Sequence, residues 1–154
     1  MASGRWSRMQ RSAQTLARSP RIVGSAKRCP LLVHDLAIDI DNTPGALAEV
    51  AAAISDAGVN IAAATCVGAA ERAELHILVP HAEAVRHALG ISHVGVSRER
   101  EVAVVDVTDR PGVLADITRR VASAGVNLEL VYIATGNRLV LGAADMDALR
   151  AALA

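Results

Sequence analysis

Two short segments of the chain combine residues that can hold a charged small molecule, and each occurs twice. Asn42-Thr43-Pro44-Gly45-Ala46-Leu47-Ala48 returns as Asp109-Arg110-Pro111-Gly112-Val113-Leu114-Ala115. Ala57-Gly58-Val59-Asn60-Ile61 returns as Ala124-Gly125-Val126-Asn127-Leu128, at the same offset of 67 residues. A glycine beside a helix start lets a ligand approach the backbone closely. The free N–H groups and positive dipole end there favour an anion, and a carboxylate suits them as well as a phosphate. Asn42 and Asn60 can each donate and accept, which suits a zwitterion with one carboxylate and one ammonium. Residue chemistry alone leaves a plainer role open, with Asn42 capping the helix and Asn60 ending a turn.

Catalytic chemistry finds little support. The chain has no glycine-rich phosphate loop, no Cys-x-x-Cys and no His-Glu-x-x-His. All five histidines, His34, His76, His81, His87 and His93, precede the second repeat, so a duplicated catalytic centre would need another base. His81 and His87 are six apart and point in different directions on a helix. His76 and His93 fall on expected strands and could face each other; solvated surface histidines are the default. We therefore expect no enzyme, no metal and no cofactor. Cys29 and Cys66 form no motif and read as reduced thiols of a cytoplasmic protein.

Composition narrows the partners. Trp6 and Tyr132 are the only aromatics, so there is no stacking platform for single-stranded nucleic acid. Seven of the sixteen Lys and Arg residues precede the first acid, Asp35, so the remainder sets nine basic residues against all sixteen acids. An acidic body does not favour a phosphate backbone, and we expect no nucleic-acid partner. No apolar run approaches the length of a membrane span. Residues 1–30 are basic and aperiodic and read as a disordered tail. They superficially resemble a transit peptide, and an upstream start codon is a further alternative.

Periodicity gives the elements that must position the two loops. Leu36, Ile38 and Ile40 alternate with Asp35, Ala37 and Asp39 in a half-buried strand whose second set points outward. Asn42-Thr43 offers a helix cap, with Pro44 at the first helical position. Leu47, Val50, Ala51, Ile54 and Ala57 make one helix face, ended by Gly58. Strands follow at 59–67 and 73–79, then a helix at 81–89 and a strand at 91–96. Residues 98–101 read as a charged hinge. The second unit repeats a strand at 101–107, a helix carrying Leu114, Ile117 and Val121, strands at 126–133 and 138–141, and a helix from 145 to 153 with Asp145 as its cap. No eighth strand is found.

This order predicts an α+β fold of two ferredoxin-like βαββαβ domains, at 31–98 and 99–154, the second lacking its last strand. The strand at 101–107 then has an unpaired edge, and its outward residues Val102 and Val104 are apolar. Repeat one or a second subunit should cover it, and a homo-oligomer is expected.

Both motifs together resemble the ACT domain, a small ferredoxin-like module that senses amino acids. The resemblance covers residues 32–154 and is similar to small stand-alone tandem ACT proteins. It implies that Asn42 and Asn60 contact the amino acid, as the matching asparagines do in serine-sensing members, with Asp109 and Asn127 in the second copy. Those members also use a histidine four residues before the proline; Ile40 and Val107 stand there, a departure from the serine-sensing pattern. The ligand-binding set is thus Asn42, Thr43, Pro44, Gly45, Asn60, Ile61, Asp109, Arg110, Gly112 and Asn127. Asp109 would repel a carboxylate, so repeat one is expected to bind first. The implied function is a non-enzymatic regulator that binds a small amino acid at a domain or subunit interface and acts on a partner in trans. The alternatives are a regulatory small subunit of an amino-acid biosynthetic enzyme, an enzyme with an intersubunit site, and a pairing module that binds nothing.

Overall fold

The computed structural model describes residues 33–154; the expectation for residues 1–30 lies outside them. The first repeat comprises β1 (His34–Asp41), α1 (Ala46–Asp56), β2 (Ala63–Ala69), β3 (Arg72–Val79), α2 (Ala82–Ile91) and β4 (Val96–Glu101). The second comprises β5 (Ala103–Asp106), α3 (Val113–Ser123), β6 (Leu128–Ala134), β7 (Arg138–Ala143) and α4 (Met146–Leu153). The sheets have strand orders β2-β3-β1-β4 and β5-β7-β6. These are the ferredoxin-like order and the same order without its fourth strand.

Each repeat has its own apolar core. Leu36, Ile38 and Ile40 on β1 meet Leu75, Ile77 and Val79 on β3, Val50 and Ile54 on α1, and Val85 and Leu89 on α2. The second core joins Val105, Leu139 and Leu141 to Ile117, Val121, Leu149 and Leu153. Asp145 caps α4 as expected, accepting from the Ala148 amide at 2.8 Å.

The opposite faces of the two sheets meet each other. Ala63 and Leu78 of the first pack with Val102, Tyr132, Ala134 and Val140 of the second. β6 runs across the strands of the first sheet. Thr135, just past its end, donates to the Ala62 carbonyl beside β2, Tyr132 reaches Asp35 on β1, and Glu129 reaches Arg100 on β4. The layers are therefore helices, sheet, sheet, helices, with the sheets crossed. Repeat one is what covers Val102 and Val104, while β5 keeps one strand neighbour.

Several local expectations need correction. The fourth strand lies at Val96–Glu101, not 91–96, and the residues read as a hinge are part of it. α2 does not end at Leu89 but runs on to Ile91, and the chain turns at His93 with a left-handed φ of 57°. The charges on β4 are tolerated because it is an edge strand with β1 as its one neighbour. Asp35 and Ala37 do not point to water but are buried between the sheets. Leu47, Ala51 and Ala57 are exposed, and α1 buries Val50 and Ile54 instead; Leu114 is likewise exposed on α3. His76 is buried on β3 and His93 lies in a loop, so they do not face each other as strand residues.

Candidate functional site

The loops between the first strand and first helix of each repeat share one backbone. Gly45 and Gly112 are the N-cap residues of α1 and α3, with left-handed φ of 100° and 90°. This conformation is what demands glycine, since a Cβ there would crowd the following carbonyl. Pro44 and Pro111 sit in the preceding turn, two positions before the first helical residue rather than at it. Neither N-cap side chain can cap its helix, and no other side chain among the described residues does so. The Gly45 carbonyl accepts from Glu49 at 3.0 Å and that of Gly112 from Asp116 at 2.9 Å. The next first-turn amides, Leu47 and Ala48 in α1, thus have no side-chain cap to accept from them. Among the described residues, none other than its chain neighbours has an atom within 4 Å of where a Cβ on Gly45 would stand.

Asn42 is not the helix cap. Its side chain donates to the Ala70 carbonyl at 2.9 Å and its amide to the Glu71 carbonyl at 2.9 Å. It therefore pins the loop to the β2–β3 hairpin and packs against Gly68, where a Cβ would lie 3.0 Å from its amide.

A cleft of about 580 Å³ opens beside the first loop, lined by Thr43, Pro44 and Ala46 together with Asp39, Asp41, Glu49, Arg72, His93 and Ser97. Three carboxylates face one guanidinium there, and Arg72 is already paired with Asp41. The second loop borders a smaller cavity of about 180 Å³. Asp109 and Arg110 line it, with Val107, Val113, Leu114, Ile133 and Leu139 supplying an apolar wall and Asn137 a polar edge. Arg110 donates to Asp116 at 3.1 Å and to the Pro111 carbonyl at 3.3 Å. The first cleft is the more acidic of the two, with three carboxylates and Arg72 against Asp109 and Arg110 in the second cavity.

The remaining expected residues lie elsewhere. Asn60 is exposed and Ile61 is half-buried against the first core, both beyond the C-terminal end of α1. Asn127 lines a different depression with Gly125, Val126, Glu129 and Asp145. An 11-residue helix is about 16 Å long. Asn42 and Asn60 are thus held at opposite ends of α1, and Asp109 and Asn127 at opposite ends of α3. No single repeat brings its pair together around one small ligand.

Sequence reasoning missed Leu114, Ile133 and Asn137. Spacing placed Leu47 and Leu114, two residues after each Pro-Gly glycine, on the helical stripe, but the structure exposes both, at 47% and 51%. Repetition of a large apolar residue at an exposed position marks a surface rather than a core.

The fold and the repeated loop define a tandem ferredoxin-like protein with two matching helix-terminus clefts. The second repeat can be placed more closely: residues 102–149 match the family model of the ACT domain. No curated protein matches the chain. A protein from Bacteroides thetaiotaomicron is similar in structure, with 25% identity, a TM-score of 0.71, and coverage of 79% of this chain and 87% of that one. The regulatory subunit of aspartate kinase from Thermus thermophilus, in its ligand-free form, shares the fold at 23% identity and a TM-score of 0.62, covering 80% and 91% of the two chains. Its counterpart from Thermus flavus does so at 21% identity and 0.59, covering 79% and 90%. Among the described residues, no helix is long and apolar enough to cross a membrane.

Proposed function

We propose that the protein is a non-enzymatic regulator that binds a small amino acid at its Pro-Gly loops and changes its association with a partner enzyme of amino-acid metabolism. The observation that carries this reading is the duplicated left-handed glycine N-cap, uncapped by any side chain and beside an open cleft, in a chain whose second repeat matches the ACT domain. The helix terminus receives the ligand carboxylate. Asp109 is suited to its ammonium, and the apolar wall of the second cavity favours an aliphatic side chain. The second loop is therefore the stronger site, with the first weakened by Asp39, Asp41 and Glu49.

Because α1 and α3 separate the asparagine pairs, a complete site needs the Asn60 or Asn127 corner of another repeat or subunit. A homo-oligomer supplies it. β6 has one strand neighbour, and its Ile133 is 74% exposed beside the second cavity. Sedimentation equilibrium at micromolar concentration should give a mass above 16.0 kDa, increasing further when ligand is added. Asn127→Ala should weaken binding about tenfold, the value of one hydrogen bond to a charged group. A strict monomer that binds with full affinity would refute the composite site. A chain that binds no amino acid at millimolar concentration would leave the pairing module as the reading.

A further inference from the structure

Asp35 is 0% exposed, yet it lies on the face of β1 where the two sheets cross. Its Oδ1 accepts from the Tyr132 hydroxyl at 2.7 Å, across the boundary between the repeats. Its Oδ2 lies 2.8 Å from His76 Nδ1 and 3.9 Å from Arg100 Nε, which is itself buried and has no hydrogen-bond partner among the described residues. Glu74 stands 3.3 Å from His76 Nε2, and Glu129 3.6 Å from Arg100 Nη1. Four strands contribute: β1, β3 and β4 from one repeat and β6 from the other.

The surroundings give this cluster its meaning. The covalent link between the repeats is one residue, Val102, between β4 and β5. The apolar contact is made largely of small side chains, Ala63, Ala134, Val102 and Val140. Apolar burial is non-directional and does not fix an angle between two sheets. A hydrogen bond to a buried carboxylate does, because losing its geometry leaves a desolvated charge short of a donor. Replacing such a cluster by apolar residues often costs nothing in stability, so stability alone does not account for it. Each repeat meanwhile holds a core of its own that does not use these groups.

We propose that the Tyr132–Asp35 hydrogen bond, braced by His76 and Arg100, is a latch that sets the angle between the repeats and can open while both repeats stay folded. The inference is independent of what the Pro-Gly loops bind.

The test uses the full chain with Cys29→Ser and Cys66→Ser, plus Ala134→Cys as a buried reporter in the interface. Thiol labelling of that cysteine measures opening, and amide exchange at Ile77 and Leu141 measures each core. Tyr132→Phe keeps the ring and removes the donor; it should raise the labelling rate about tenfold or more, with core protection unchanged. Asp35→Asn keeps an acceptor for the tyrosine and should raise labelling less than Tyr132→Phe does. An unchanged labelling rate in Tyr132→Phe would overturn the proposal. So would a parallel loss of core protection, which would mean that the interface opens only on global unfolding. Tyr132 is also the only tyrosine. Burial, then the hydrogen bond to Asp35, raises its phenol above the ordinary tyrosine range. Phenolate absorbance in the wild type should therefore appear only above about pH 10 and together with faster labelling. Ionisation at the ordinary pH without faster labelling would contradict a closed latch.

Discussion

The two Pro-Gly loops have the same backbone and different walls. Gly45 and Gly112 adopt left-handed conformations within 10° of each other in φ, and both precede 11-residue helices that bury two residues at matching positions. The first loop nevertheless opens on a wide cleft with Asp39, Asp41 and Glu49, and the second on a cavity about a third of its volume walled by Val, Leu and Ile. What duplication preserved is the geometry that presents helix amides. What diverged is the set of side chains that would choose among ligands. A shared scaffold thus argues for a shared ligand class, and the different walls argue against two equivalent sites.

The comparison can be strained first at the cores. Leu36→Ala in the first and Leu141→Ala in the second should each cost about 2–5 kcal/mol, since both side chains are fully buried. Urea unfolding of either variant should remain one transition, because the third apolar cluster joins the sheets. Two separated transitions would show that the repeats differ in stability and unfold independently.

The loops come next. Gly45→Ala and Gly112→Ala should each destabilise by about 1–2 kcal/mol through the left-handed backbone. Open space around Gly45 and a nearest side-chain atom 4.0 Å away at Gly112 mean that conformation, not collision, sets this cost. Thermal melts of the two variants should therefore agree. A much larger loss in one would break the backbone equivalence.

The smallest effects separate a real cap from an expected one. Asp145→Ala should cost about 1 kcal/mol, because its side chain caps α4. Asn42→Ala should cost about 0.5 kcal/mol, the lower end for one exposed hydrogen bond. It should leave protection of the α1 first turn unchanged in hydrogen exchange.

The helices, the missing eighth strand and every strand but β4, whose charged residues read as a hinge, were legible because each rests on local patterns. Examples are the alternation of Leu36, Ile38 and Ile40, the Asp145 cap, and a repeat that reports the same answer twice. The sheet-to-sheet packing was not legible. Asp35 looks like a solvent residue until Tyr132, 97 positions later, supplies its donor, and no local period encodes a partner at that range. Leu47 and Leu114 fit the helical stripe by spacing, but the buried faces of α1 and α3 are carried by Val50 and Ile54 and by Ile117 and Val121, and both leucines are exposed. Of the candidate site, the loops could be read directly. The walls could not, since His93, Arg72 and Ile133 come from elements that only the fold brings to the cleft.

The central claim is that the second Pro-Gly loop is the stronger amino-acid site. Isothermal titration of the wild-type chain and of Gly112→Ala and Gly45→Ala with each of the twenty amino acids tests it most directly. The account predicts saturable binding of a small aliphatic amino acid, weakened about tenfold or more by Gly112→Ala and less by Gly45→Ala. No saturable heat from any amino acid at millimolar concentration, or a loss confined to Gly45→Ala, would contradict it.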